Sequence, residues 1–204
     1  MDNFSTVMVA FLSGVLGPIL IMFIKHYLES KKKPKPDMVM DTLRVSELIN
    51  SKIEHIKEEF DADRVWVSQF HNGGNFYPTG KSMAKFSIMY ETVGQHAQSV
   101  QNNFKNIPVN LFSKSINELL NNDSIEISDY TNEEIPTFGL KYIAEETGCK
   151  SSYLLAIKTI EDKFIGVLSV DYTKDKKDLT FEEVTHLQVH ASSIGGVLMS
   201  YLNQ

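Results

Sequence analysis

The sequence predicts an α+β domain, an antiparallel sheet flanked by helices, preceded by one N-terminal transmembrane helix. Three observations carry this expectation. Residues Phe4 to Ile24 form an unbroken uncharged run with lysines close behind it. In the remaining chain the apolar residues recur every three or four positions at both ends. Between those ends the period changes to two or to short apolar runs in neighbouring pairs, the pattern of antiparallel strands packed under helices. The implied division is a membrane helix over 1–28, a polybasic juxtamembrane linker over 29–37 and a folded domain over 38–204.

The first element rests on length. A helix rises about 1.5 Å per residue, so roughly 20 apolar residues span a hydrocarbon core of about 30 Å. Lys25, Lys31, Lys32, Lys33 and Lys35 follow the run, while the only charge before it is Asp2. Positive charge stays on the cytoplasmic side, which places the C-terminal domain in the cytoplasm as a single-pass protein. A secretory signal wants its positive charges before a shorter apolar stretch, and a buried core helix is the other reading of a run diluted by Ser13, Gly14, Gly17 and Pro18. The same lysines suit an anionic lipid surface, making the bilayer itself a partner.

The KKKPKP stretch at 31–36 ends the membrane helix, because its two prolines hold the chain extended. A helix is expected over 38–60, with Val45, Ile49, Ile53, Ile56 and Phe60 as its apolar stripe. RVWVSQFH (64–71) reads as a strand, HNGGNFYPTG (71–80) as a loop and KFSIMYETV (85–93) as the partner strand. The polar stretch 94–106 has no clear period. An amphipathic helix over 109–121 comes next, then a short strand at 124–128 and a helix over 137–146 that stops near Gly148. SSYLLAIKT (151–159) and KFIGVLSVDY (163–172) form a hairpin around Glu161 and Asp162. Thr180 and Glu183 have the spacing of a capping box at the start of the last helix.

Composition narrows the function. The formal net charge is -6, and five of the twenty basic residues sit in the juxtamembrane cluster, so the domain itself is distinctly acidic. A nucleic-acid binder needs a basic stripe to displace phosphate counterions, and none is present. Cys149 is the single cysteine, which excludes an intrachain disulfide, a thiolate metal cage and a paired-cysteine redox cycle.

With these elements in order, the chain resembles a GAF domain over roughly residues 38–204. The resemblance lies mainly in Asp129 after a short strand, GCKSSYLLAIKT, FIGVLSVDY and LTFEEVTHLQVHASSIGGVL. It implies a six-stranded antiparallel sheet with a ligand pocket on one face and helices on the other, in a module that binds small molecules and dimerises. The Asn-Lys, Phe, Asp-Glu signature of cyclic-nucleotide members is absent. Cys149 is not followed by the histidine of the usual bilin-attachment motif, and sulfoxide-reductase members carry several cysteines. No cofactor is therefore implied. The FHNGGNFYPTGKS segment is similar to that of small membrane-anchored proteins, some from tailed phages.

The candidate ligand site is the glycine-rich segment His71, Asn72, Gly73 and Gly74, where paired glycines permit close backbone approach. Tyr77, Lys81 and Ser82 extend it, and Asp129 is a candidate pocket acid. The competing reading is an ordinary hairpin loop whose polar side chains satisfy backbone groups. Val184, Leu187, Ala191, Ile194, Leu198 and Tyr201 step by three and four along the last helix, a heptad-like seam suited to a homodimer or to this domain's own sheet. His186 and His190 stand four apart, the spacing of a shared metal, but no third ligand is evident in the sequence and no metal is expected. No nucleophile–base order, phosphate loop or paired carboxylates stand out, so no catalytic residues are expected. The sequence thus points to a membrane-anchored sensory domain for an unknown small molecule or protein partner, without its own catalytic output. A ligand-free adaptor or assembly platform at the membrane is the alternative.

Overall fold

The computed structural model describes residues 4, 5, 8, 11–31, 38–76 and 78–202. The chain divides into two compact units, residues 1–38 and 39–204. In the first, a π-helical turn over Leu12–Leu16 leads into helix α1, Gly17–Lys31. Among the described residues no helix is long and apolar enough to cross a membrane. The expected uninterrupted span to Ile24 is instead broken into a π turn and a 15-residue helix whose last turns carry Lys25, Glu29 and Lys31. Lys32, Lys33 and Lys35 lie outside the described residues.

The second unit is an α+β domain on a six-stranded antiparallel sheet ordered β3-β2-β1-β6-β5-β4. Helix α2 (Met38–Glu59) precedes strands β1 (Arg64–Asn75) and β2 (Ser82–Val93). Two residues, Ile107–Pro108, form β3 and lead through a 3-10 turn (Val109–Phe112) into α3 (Ser113–Asn122). Strand β4 (Ser124–Ile127), helix α4 (Lys141–Thr147), strands β5 (Ser151–Lys158) and β6 (Phe164–Tyr172) and helix α5 (Phe181–Leu202) complete it.

Alternation along the strands divides the side chains between two cores. Val65 and Val67 of β1, Tyr153, Leu155 and Ile157 of β5, and Leu168, Val170 and Tyr172 of β6 face α2 and α5. The α2 stripe Val45, Ile49, Ile53, Ile56 and Phe60 is buried there, as its spacing predicted. Each fully buried aliphatic side chain contributes about 1.5–3 kcal/mol. So does the α5 seam: Val184, Leu187, Ala191, Ile194 and Leu198 are buried in the same core, and half-buried Tyr201 bonds Thr42 Oγ1 of α2 at 2.9 Å. This corrects the reading of that seam as a dimer interface. The domain's own sheet takes up the stripe, the other role its spacing suited, and Tyr201 alone stays half-buried.

Local signals explain the helix ends. Thr180 N–H donates to Glu183 Oε2 at 2.7 Å and Glu183 N–H to Thr180 Oγ1 at 3.3 Å, the expected reciprocal box. Gly148 closes α4 in the left-handed region at φ 68°. The expected loop at 71–80 is shorter than predicted, because β1 and β2 continue pairing through Asn75 and Ser82. The stretch 94–106, which lacks periodicity, is held by side chains from the strands: Glu91 accepts from the backbone of Val100 at 2.8 Å and of Gln101 at 3.2 Å, and Ser87 Oγ accepts from Asn106 N–H at 2.8 Å.

Candidate ligand-binding site

The sheet face opposite α2 and α5 carries the second core and a cavity of about 90 Å³. Strand alternation builds its floor from Arg64, Trp66, Ser68 and Phe70 of β1, Ser152 and Leu154 of β5, and Val167, Ser169 and Asp171 of β6. Phe104, the 3-10 turn at Phe112, and helices α3 and α4, through Leu119 and Ala144, form the cover. Of the amphipathic stretch 109–121, Phe112, Ile116 and Leu119 turn onto this face, whereas Leu111 and Leu120 stay exposed. Most of the lining is apolar and aromatic, with Phe86 and Phe112 meeting edge to face at 5.3 Å between ring centroids.

One corner of the floor is strongly polar. Arg64 and Asp171 are cross-strand partners in the β1–β6 register and are 2% and 4% exposed. Arg64 Nε and Nη2 both donate to Asp171 Oδ2 at 2.8 Å, and Nη1 donates to the Gln98 carbonyl at 2.9 Å. Trp66 Nε1 donates to the same Oδ2 at 3.0 Å and Ser169 Oγ to Oδ1 at 2.7 Å. Burial works against the Arg64 charge, but the Asp171 carboxylate outweighs it and raises the guanidinium above its ordinary range. Among the described residues, no buried side-chain polar atom lacks a partner. The corner is therefore closed on itself and presents no unpaired donor to a charged ligand.

Beside it, Tyr130 Oη and Ser152 Oγ share a hydrogen bond of 2.5 Å, and Cys149 Sγ donates to the Ser151 carbonyl at 3.2 Å. Burial pushes the Tyr130 phenol up, with Cys149 adding to the effect. Burial likewise pushes the Cys149 thiol well up, and the Asp171 carboxylate pushes it further. A protonated, buried thiol is a poor nucleophile.

The residues expected to bind a ligand lie elsewhere. His71, Asn72, Gly73, Gly74, Lys81 and Ser82 belong to the distal end of the β1–β2 hairpin and do not line the cavity. His71 Nε2 is 2.9 Å from Ser87 Oγ, and Ser82 Oγ donates to Asn72 Oδ1 at 3.1 Å. Gly74 sits at φ 102°, a conformation that favours glycine, so this motif has a conformational explanation. Tyr77 lies outside the described residues. Asp129 makes an Asx-type turn with Thr131 and an ion pair with Lys176 at 2.5 Å. Hydrogen bonds from Lys176 and then Thr131 lower its pKa to about 2. His186 and His190 lie on α5 beside Glu59.

Sequence reasoning missed Arg64 and Trp66, and read Asp171 as an ordinary residue at the end of an apolar strand. A signal was present: Arg64 and Trp66 stand two apart at the head of an apolar strand, and Asp171 ends another. Only the strand register, which a single sequence does not give, joins them.

No family model matches this chain, and no curated protein does. Solved structures do match. A far-red cyanobacteriochrome photoreceptor superposes with a TM-score of 0.61 at 15% identity, over 90% of this chain and 98% of that one. The blue-light-absorbing form of the PixJ GAF domain of Thermosynechococcus elongatus gives 0.62 at 13% identity, over 80% and 91%. A phycocyanobilin-bound GAF domain of a cyanobacterial phytochrome gives 0.61 at 15%, over 82% and 94%. The domain has a GAF-like fold, as its sequence resemblance implied. At these identities the likeness concerns the fold.

Proposed function

We propose that this chain is a membrane-associated sensory domain whose ligand is a small, mainly apolar molecule held between the sheet and the α3–α4 cover. The observation that carries this reading is the apolar-lined cavity of about 90 Å³ between the sheet and helices α3 and α4, in a fold whose solved neighbours include a bilin-bound GAF domain. Drug-sized ligands occupy pockets of about 300–1,000 Å³. A tetrapyrrole does not fit without displacing the cover, and Cys149 is ill suited to attach one. The self-satisfied Arg64–Asp171 corner disfavours an anionic ligand.

Membrane association is part of the reading. Ile19, Leu20, Ile21, Met22, Phe23 and Ile24 of α1 are all exposed within their own unit. Six consecutive residues cover every side of a helix, and an exposed all-round apolar helix calls for lipid or a partner around it. Lys25 and the lysines after it favour the cytoplasmic side for the domain. The domain carries no catalytic step of its own in this reading, and a signal passes to a separate protein. Pairing of two copies through the tether uses surfaces other than the buried α5 seam.

A second reading, a ligand-free adaptor at the membrane, is favoured by one specific observation: every buried polar side-chain atom among the described residues is already paired. One experiment separates the two. Trp66 is the single tryptophan and lines the cavity, so its emission reports occupancy directly. The full chain, purified in detergent, is heat-denatured and its extract analysed by mass spectrometry. The sensory reading expects a stoichiometric small molecule, a Trp66 emission change when it is added back, and loss of both in Ala144→Leu. No such molecule, with identical Trp66 emission in parent and variant, makes the domain an adaptor. For the membrane part, the full chain should stay with membranes after carbonate extraction; release into the supernatant refutes anchoring by α1.

A further inference from the structure

We propose that Glu59, His186 and His190 form a binding site for a divalent transition-metal ion of the zinc type, clamping the end of α2 to the first half of α5. The sequence offers only the two histidines four apart. The fold adds Glu59, the last residue of α2, which is more than a hundred positions away along the chain. Ligand atoms of the three residues lie within 4.8 Å of one another.

The geometry is close to what coordination requires. Zinc binds imidazole nitrogen and carboxylate oxygen at about 2.0–2.2 Å, so neighbouring ligand atoms of a tetrahedron stand about 3.3 Å apart. His186 Nδ1 is 3.3 Å from Glu59 Oε1, and His190 Nε2 is 2.9 Å from Glu59 Oε2. The two imidazoles lie one helical turn apart with ring centroids 4.8 Å from each other and planes tilted by 33°. Each nitrogen thus already faces a carboxylate oxygen, and an ion needs the set, now spread over as much as 4.8 Å, to close by about 1.5 Å through rotamer changes.

A fourth group stands nearby. His55, one turn before Glu59 on α2, has Nε2 3.6 Å from Glu59 Oε2 and its ring 6.0 Å from that of His190. Three of the six histidines of the chain therefore surround one carboxylate. With His55 swung inward the set becomes three imidazoles and a carboxylate, a closed tetrahedral site; with His55 outward, water takes the fourth position. The backbone below is rigid, since Phe60 and Leu187 are buried in the helix–sheet core and the Phe60 ring packs against both His186 and His190. Mixed imidazole and carboxylate ligands suit zinc, cobalt, nickel or copper, whereas magnesium and calcium prefer all-oxygen sites.

The histidines have a metal-free explanation, as hydrogen-bonded neighbours of Glu59, and the test separates the two. The full chain, stripped with EDTA, is titrated with zinc sulfate by calorimetry and with cobalt(II) by visible absorption. The expected result is one ion per chain, visible d–d bands for cobalt, and a zinc-dependent rise in melting temperature. Glu59→Gln and His190→Ala should each weaken zinc at least tenfold. His186→Ala, at a half-exposed position, tests the site with little risk to folding. His96→Ala should bind as the parent does, and millimolar magnesium should not compete. Zinc affinity within twofold of the parent in both Glu59→Gln and His186→Ala, equal loss in His96→Ala, or no binding at 1:1 stoichiometry overturns the proposal.

Discussion

Replacing Arg64 by methionine should destabilise the domain more than any surface change, because it strands a buried carboxylate. Arg64 supplies two of the four side-chain hydrogen bonds that Asp171 accepts and the only positive charge in contact with it among the described residues. Hydrogen bonds to charged groups contribute about 1.5–3 kcal/mol each, and breaking a buried pair from one side costs about 3–5 kcal/mol. For a domain of this size, about 4 kcal/mol corresponds to a fall of roughly 8–16 °C in melting temperature. Asp171→Asn alone should cost a similar amount, since it leaves the guanidinium buried without a counter-charge. The double variant Arg64→Met/Asp171→Asn should lose much less than the sum, because the amide oxygen still accepts from Trp66 and no charge remains. Denaturant unfolding of the parent and three variants closes the cycle, and a coupling of about 2–3 kcal/mol is expected. Single-variant losses under about 1 kcal/mol, or strictly additive losses, refute the view that the pair acts as a unit on the cavity floor.

Two further outcomes follow from neighbouring positions and from burial. A Cβ at Gly195 would lie 2.5 Å from the Lys158 carbonyl oxygen, whereas one at Gly196 meets nothing within 4 Å. Gly195→Ala should therefore cost about 1–3 kcal/mol by lifting α5 from the sheet, and Gly196→Ala should gain up to about 1 kcal/mol from helix propensity. Equal melting temperatures for the two variants refute the close approach. The second concerns alkali. Burial raises the pKa of Cys149, Tyr130 and Tyr172, and pushes Tyr153 up to about 12. The unfolded chain releases these protons first, from about pH 8.5 for cysteine and about pH 10 for tyrosine. The stabilisation is thus fully present below those values and is lost as pH rises from them through the raised folded-state values. Melting temperature should decline progressively above about pH 8.5, with the native thiol resisting a disulfide reagent until unfolding. Rapid native labelling of Cys149 at pH 7.5 contradicts its enclosure.

The elements were legible because each rests on local physics. The α2 stripe, the Thr180–Glu183 box and the Gly148 stop need only neighbours within a turn, and each stands where its spacing put it. The site was not legible for the opposite reason. Trp66, Arg64 and Asp171 read separately as ordinary strand residues, and they meet only through the pairing of β1 with β6 across more than a hundred residues. The conspicuous His71–Gly74 motif stands away from the cavity, and its sequence is ambiguous because turn chemistry and ligand chemistry use the same residues. Glycines at a hairpin tip answer to backbone conformation first, and Gly74 shows that demand directly.

The α5 seam shows how one local pattern serves two incompatible roles. A three-four repeat of apolar residues suits a partner helix or a sheet equally well, and the sequence offers no way to choose. The sheet has two faces to cover, however, and among the described residues of this unit α2 and α5 cover one of them while α3 and α4 close the other. Both long helices then turn their buried stripes inward, which leaves the outward side of each helix beside that of the other. That outward pairing is what sets Glu59 against His186 and His190. The packing of α2 beside α5 therefore creates, on its solvent side, the one cluster of metal-ligating groups found among the described residues.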